Sequence, residues 1–388
     1  MLYGLAKAGC RAHFARRRTD LFRTREVAEH GGLPMDLSLF YLPTWRDGFG
    51  ISLGRYYEEI IETVKLADTL GWARALTTEH HFHYYGGAVP NPAVILAAWA
   101  RETENIRLAP AVSLIQLRDP LKVAEDYALV DQLSGGRVDM GVARGFAPHE
   151  FGAFNVDQAE TAERITEGLE ICSRFWAGEP FSFTGKFFSF DKLQPWPPTK
   201  TGALPIWNAA SNSKESFVNA AKCGYHLMMN HYPMSFSALA EKFGWYCEAW
   251  EKAGRKTSDR KAMVNFMCHI GNTEEQAIQE AKGALQEHAG AFEKVMQGQQ
   301  WETDYAGDVS ILLRMCEGDD WRDVFRRRTL ICSPEQAAER MQLCLNLGFT
   351  EISIVPRYAG LTHEQCTNTI RRITEEVLPM VDQSAQLV

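Results

Sequence analysis

Asp119-Pro120-Leu121-Lys122-Val123-Ala124-Glu125-Asp126-Tyr127-Ala128-Leu129-Val130-Asp131-Gln132-Leu133-Ser134-Gly135-Gly136-Arg137-Val138-Asp139-Met140-Gly141-Val142-Ala143 is a helix that passes directly into a strand. Asp119 supplies an N-capping carboxylate, and Pro120 suits the first helical position, where no N–H is needed. Apolar residues recur at helical spacing as far as Leu133. Gly135-Gly136 then ends the helix, since glycine enters the left-handed conformation without a Cβ penalty. The strand 137–143 follows at once. A helix that hands over to a strand in this way belongs to an alternating α/β chain.

The same alternation runs in both directions from this segment. The patterning predicts strands at 36–41, 73–78, 106–113, 137–143, 205–209, 225–229, 263–270 and 350–355. Helices are predicted near 53–70, 91–101, 119–133, 157–177, 213–222, 236–253, 273–287, 334–347 and 362–380. Ser52 and Ser333 stand at N-cap positions, and Ser333 has Gln336 at the capping-box position. Eight strand–helix units favour a closed (β/α)8 TIM barrel over an open sheet. An open dinucleotide-binding sheet would show GxGxxG after its first strand. Here that turn reads Leu42-Pro43-Thr44-Trp45-Arg46-Asp47-Gly48-Phe49-Gly50. Two stretches exceed a minimal barrel and are expected as insertions on its C-terminal face, serving as lids or substrate walls. One is a phenylalanine-rich hairpin within 180–198. The other, 288–330, contains Trp301, Asp319, Asp320, Trp321 and Arg326-Arg327-Arg328.

Composition narrows the class further. The chain has 388 residues, 45% of them hydrophobic and 23% charged, which suits one large globular α/β domain. A net charge of −8 gives no electrostatic footprint for nucleic acid or an anionic membrane. No apolar run approaches the ~18 residues of a spanning helix. Nine scattered cysteines without a CxxC pair read as reduced thiols of a cytoplasmic protein. Residues 1–34 carry seven basic residues against three acidic ones and no apolar signal core. They are expected to be a basic extension outside the natural fold, with the barrel domain spanning 35–388.

Chemistry concentrates at Thr78-Glu79-His80-His81-Phe82-His83, at the predicted C-terminal end of the second strand. Active sites of such barrels occupy that face. Histidines there suit a metal, a structural bond to loop carbonyls, or acid–base work near neutral pH. No HExxH is present and no third ligand from another strand can be named, so no metal is expected.

Glu79-His80-His81-Phe82, Asn91-Pro92, Asp119 to Asp126, Asp131 to Arg137 and Gly141-Val142-Ala143-Arg144-Gly145-Phe146 occur in an order and spacing that resemble the bacterial-luciferase-like flavin monooxygenases. Ala209-Ala210-Ser211-Asn212-Ser213 and Ser333-Pro334-Glu335-Gln336-Ala337-Ala338-Glu339-Arg340 extend the resemblance over about 35–380. The resemblance implies a two-component monooxygenase that receives FMNH2 from a separate NAD(P)H:flavin reductase. It implies oxygen addition at the flavin C4a carbon, and a hydroperoxide that attacks a small apolar or aromatic substrate. By the same resemblance His80 is the acid–base residue with His81 in support, and Glu79, Ala111, Val112 and Ser113 lie against the flavin. Arg144, with Gly145, Ala210, Ser211 and Ser213, would hold its phosphate; arginine geometry and a helix N-terminus both suit that anion. A homodimer is expected.

Three positions depart from luciferase itself. Ala143 replaces a reactive cysteine, Ala210 a glutamate and Ala147 a tyrosine, which removes light emission from the expectation. Tyr41, Trp45, Phe82, Tyr84, Tyr85, Phe146, Phe151, Tyr232 and His231 are the expected pocket walls. Two other readings stay open: an F420-dependent dehydrogenase on the same fold, and a non-catalytic flavin-binding protein.

Overall fold

The computed structural model describes residues 35–231, 234–296 and 321–381. The basic segment 1–34, Tyr232, Trp301, Asp319 and Asp320 lie outside the described residues. In chain order the strands are β1 (Asp36–Tyr41), β2 (Arg74–Thr77), β3 (Arg107–Pro110), β4 (Met140–Val142), β5 (Phe181–Thr184), β6 (Ser189–Leu193), β7 (Ile206–Ala209), β8 (His226–Asn230), β9 (Ala262–Ile270), β10 (Leu330–Cys332) and β11 (Glu351–Val355). Eight of them pair in the order β3-β2-β1-β11-β9-β8-β7-β4, with parallel registers throughout. Parallel bridges Leu108–Val138 and Ser113–Val142 bring β4 back beside β3 and close the barrel.

The helices that surround it are α1 (Leu53–Thr69), α2 (Pro92–Glu102), α3 (Pro120–Ser134), the short α4 (Pro148–Ala153), α5 (Thr161–Ala177), α6 (Lys214–Cys223), α7 (Phe236–Lys252) and α8 (Glu274–Met296), followed by Trp321–Arg328, Pro334–Asn346 and His363–Arg372. The capping chemistry forms as the sequence predicts. Ser52 Oγ accepts from Arg55 N at 3.2 Å, and Asp119 Oδ1 from Leu121 N at 2.8 Å. Ser333 and Gln336 complete a capping box, and Gly135 ends α3 in the left-handed conformation.

Four features differ from expectation. Helix α8 runs to Met296 instead of stopping at 287, and the short strand β10 pairs with the outer half of β9. The final helix gives way at Ile373–Val377 to a wider π turn. The fourth concerns the hairpin β5–β6, which follows α5 in the chain. Its turn lies back along α5, with Lys186 N and Phe187 N donating to the Glu167 carboxylate and the Arg164 guanidinium 4.2 Å from the Phe187 ring centroid. The hairpin therefore braces the outside of a helix and is no lid over the barrel mouth.

The N-terminal end of the barrel is filled by charge. Arg74, 3% exposed, donates to Asp139 Oδ2 at 2.8 Å and to the Glu351 carboxylate, which also accepts from Ser38. Arg107 Nε reaches Asp139 Oδ1 at 3.1 Å from the rim. Burial by itself raises a carboxyl pKa, yet the Arg74 and Arg107 guanidinium groups outweigh it and hold Asp139 at about 2. Removing one partner from a buried pair leaves the other charge uncompensated, at a cost of roughly 3–5 kcal/mol. The depressed carboxyl stabilises the fold above its unfolded pKa of about 3.9, and that contribution is lost as pH falls from there toward 2. Denaturant unfolding of Asp139→Asn should show a loss of roughly 3 kcal/mol at pH 7. It should also show a weaker dependence on pH between 4 and 2 than the natural sequence has.

Candidate active site

At the C-terminal end of the barrel, β2 delivers Glu79, His80 and His81 into a nest of hydrogen bonds. Glu79 is 1% exposed. Its Oε2 accepts from Ser113 Oγ at 3.0 Å and Leu114 N at 3.1 Å, both from the loop after β3. Its Oε1 lies 3.3 Å from His81 Nε2. The second carboxylate is Glu150 on α4, also 1% exposed. One oxygen, Oε1, meets His80 Nδ1 at 3.1 Å and accepts from His81 N at 2.8 Å. The adjacent His149 Nε2 lies 2.9 Å from the His81 carbonyl oxygen. Two buried carboxylates thus tie the end of β2 to the loops after β3 and β4.

His80 is fixed on its other sides as well. Phe146 packs edge-on to its ring at 5.4 Å, and Tyr85 lies at 5.7 Å. Gly86 has φ +68°, and a Cβ there would stand 2.5 Å from His80 Cδ2, so only glycine leaves room for the ring. His80 Nε2 has no hydrogen-bond partner among the described residues. His83 accepts from Tyr85 N through Nδ1, and burial and nearby His149 and Lys294 lower its pKa. Among the described residues no three His, Cys, Asp or Glu side chains converge as a metal site would require.

The other predicted residues fall into two places. Ala111 and Ser211 line a narrow cleft in the barrel axis beside Phe40, Leu76 and Met228. The peptide between Ala111 and Val112 is cis, and Val112 and Ala209 pack on the surrounding core. Ala210 is buried and donates its N–H to Met228 O. Arg144 is exposed just past β4, with no carboxylate partner among the described residues. Gly145 has φ +70°, which turns the chain there, and Gln116 Nε2 donates to Arg144 O at 2.8 Å. Strands β4 and β7 pair through Met140–Ile206, Gly141–Trp207 and Val142–Asn208, so the Arg144 loop and the Ser211–Ser213 loop leave the sheet as neighbours. Ser213 caps α6.

Sequence reading missed two residues. Glu150 belongs to a six-residue helix whose only local signal is Pro148 at its start. Lys242 of α7 donates to Ser211 O and to Asn212 Oδ1, both at 2.9 Å. It misplaced others. His231 is wholly buried between Phe236 and Phe266, its Nε2 2.9 Å from Arg327 O, and burial lowers its pKa to about 4. Tyr41 is equally buried against Thr63. Phe151 is buried with Leu114 and Leu117. Trp45 faces a separate hollow with Tyr56 and Leu361. Of the remaining aromatic residues, Phe82 is 69% exposed, while Tyr84, Tyr85 and Phe146 cluster with Phe292 of α8.

Among curated relatives, an uncharacterized protein of Sinorhizobium fredii is 33% identical over 161 residues, 39% of this chain and 47% of that protein. The chain thus spans about half the length of that relative. The oxygenase component of a flavin-dependent trigonelline monooxygenase from Acinetobacter baylyi is 24% identical over 84% of this chain and 91% of its own. Monooxygenase RslO1 from Streptomyces bottropensis superposes with a TM-score of 0.76 at 27% identity, over 89% of this chain and 99% of that one. The oxygenating constituent of 3,6-diketocamphane monooxygenase from Pseudomonas putida, a type II Baeyer–Villiger enzyme solved with FMN, gives 0.74 at 20% identity, over 90% and 99%. An F420-dependent secondary alcohol dehydrogenase with an F420–acetone adduct gives 0.68 at 16% identity, over 90% and 99%, a likeness of fold alone. The sequence model of luciferase-like monooxygenases matches residues 37–351, from β1 into β11. A match that follows the barrel from its first strand to its last leaves one conclusion: the chain belongs to the luciferase-like monooxygenase family.

Proposed function

We propose that this protein is a flavin-dependent monooxygenase that uses FMNH2 and O2 to oxygenate a small organic substrate with an apolar or aromatic body. The observation that carries the reading is His80, held through Nδ1 by the buried Glu150 and left, among the described residues, with a bare Nε2 at the active-site end of the barrel. A ring so held can take or give a proton at Nε2 without reorienting. A storage protein has no use for that arrangement. Glu150 is a positioning residue, and Glu79 acts on His81 in the same way.

The residues present suit FMN. Among the described residues Arg144 is an exposed cation without a carboxylate to neutralise it, beside a helix N-terminus. Asn212 Nδ2 is a buried donor at that same turn without a partner among the described residues, and Lys242 adds charge behind it. These groups would hold the phosphate, with Ser211 and Ser213. Ala111, Val112 and Ser113 would back the ring, together with the backbone of Glu79. When bound, reduced FMN supplies the electrons that activate dioxygen. The likeness to the oxygenase component of a flavin-dependent monooxygenase supports a separate NAD(P)H:flavin reductase as its source. Exposed Val94 on α2 and Leu129 on α3, neighbouring helices, support a homodimer face. Five buried thiols among the described residues, Cys172, Cys268, Cys332, Cys344 and Cys366, support a reducing, cytoplasmic setting.

Turnover with FMNH2 from an added reductase, over a panel of aldehydes, ketones and aromatics, should consume oxygen. It should fall at least tenfold in His80→Ala, given the ~10²–10⁴-fold worth of acid–base catalysis. Turnover with F420 and no oxygen uptake would contradict the proposal. Glu150→Gln, which removes the charge and keeps the shape, should lower kcat at least tenfold and leave FMN affinity unchanged. Arg144→Ala should weaken FMN binding by at least tenfold in equilibrium titration, since a charge-assisted hydrogen bond contributes about 1.5–3 kcal/mol.

A further inference from the structure

The barrel cleft has a polar side that the flavin reading leaves without a task. Asn230 of β8 stands in register with Asn265 of β9, and Asn265 with Ser353 of β11. All three line the cleft among Phe40, Met228 and Met263. Barrel interiors of this kind are ordinarily filled by branched apolar side chains, so three adjacent polar residues on one level call for a partner. Asn265 Nδ2 donates to Asn230 Oδ1 at 3.0 Å. Asn265 Oδ1 and the Ser353 hydroxyl are buried and have no partner among the described residues, and Ser353 is 0% exposed. Buried polar atoms are nearly always satisfied, by protein, water or ligand. If the two amides are turned over together, the bare oxygen becomes a bare N–H, and the arc still offers both hydrogen-bonding senses.

Strand order separates this arc from the flavin residues. His80, Ala111, Arg144 and Ser211 leave β2, β3, β4 and β7, four consecutive strands of the ring. Asn230, Asn265, Ser353 and Phe40 belong to the other four, β8, β9, β11 and β1. The cleft is continuous between the two halves, because Ala111 and Ser211 line it together with Asn265 and Ser353.

We propose that Asn230, Asn265 and Ser353 form the substrate-recognition floor. The floor takes a substrate end that carries a hydrogen-bond donor next to an acceptor, as in a lactam or carboxamide. The substrate's apolar body lies against Phe40, Met228 and Met263. This deepens the monooxygenase reading and rests on assigning the β2–β7 half to the flavin. A site built around unpaired polar atoms discriminates strongly against analogues that leave them unpaired.

The probes are 2-quinolone, a bicyclic lactam, and N-methyl-2-quinolone, which lacks the donor. Each is titrated calorimetrically into the FMN-loaded protein. The expected result is at least tenfold tighter binding of 2-quinolone, a preference lost in Asn265→Leu and in Ser353→Ala, with FMN affinity unchanged in both. Ser353→Ala removes only a hydroxyl and serves if Asn265→Leu does not fold. Equal binding of the two probes, no binding of either, or a preference that survives in the variants overturns the inference. A tenfold loss of FMN affinity in the variants also overturns it, by giving the floor to the flavin. Failure of the natural sequence to bind FMN at all overturns the flavin assignment first, and is distinguishable from the rest.

Discussion

A buried carboxylate needs hydrogen bonds to replace the water it loses, and at the mouth of this barrel those hydrogen bonds are the site. Glu79 and Glu150 are both 1% exposed. Glu79 is satisfied by a hydroxyl, a backbone N–H and the His81 ring. One oxygen of Glu150 is satisfied by the His80 ring and by the His81 N–H. These bonds join the ends of three consecutive strands, so the histidines cannot move without unsatisfying a buried charge. The orientation of His80 is a consequence of how that carboxylate is hydrogen-bonded.

The two ends of the barrel put charge to different uses. At the N-terminal end, Arg74, Asp139 and Glu351 neutralise one another within the barrel and leave little free. At the C-terminal end, among the described residues, the cation Arg144 has no carboxylate, an asparagine donor has no acceptor, and a histidine nitrogen has no partner. A closed network closes the base of the barrel, while incomplete pairing is what a ligand can complete. That division agrees with the general placement of function on the C-terminal face of such barrels and of stability on the other.

Most of the fold was legible because it is written locally. Ser52, Asp119 and Ser333 mark helix starts through bonds made within three residues, and Gly135 marks an end through its own backbone angle. The eight barrel strands followed from apolar runs between those marks. Of the site, the His80-His81 segment was legible from its place after a strand. Glu150 was not, since its bond to His80 spans 70 positions and nothing near it in the chain announces the pairing. Lys242 was hidden for the same reason, 31 residues from Ser211. His231 and Tyr41 were misread as pocket walls because a strand's end does not reveal which side its next residue faces; the packing of Phe236 and Phe266 decides that for His231. Spacing likewise did not show that the hairpin β5–β6 lies along α5, which depends on Glu167 and Arg164.

The central claim is that Glu150 holds His80 with its proton on Nδ1 and Nε2 bare. Nitrogen-15 NMR of histidine-labelled protein reads this directly in the neutral form of the ring, with the His80 signal identified by its disappearance in His80→Ala. The account predicts that the single ring proton sits on Nδ1. A single proton on Nε2 would contradict it.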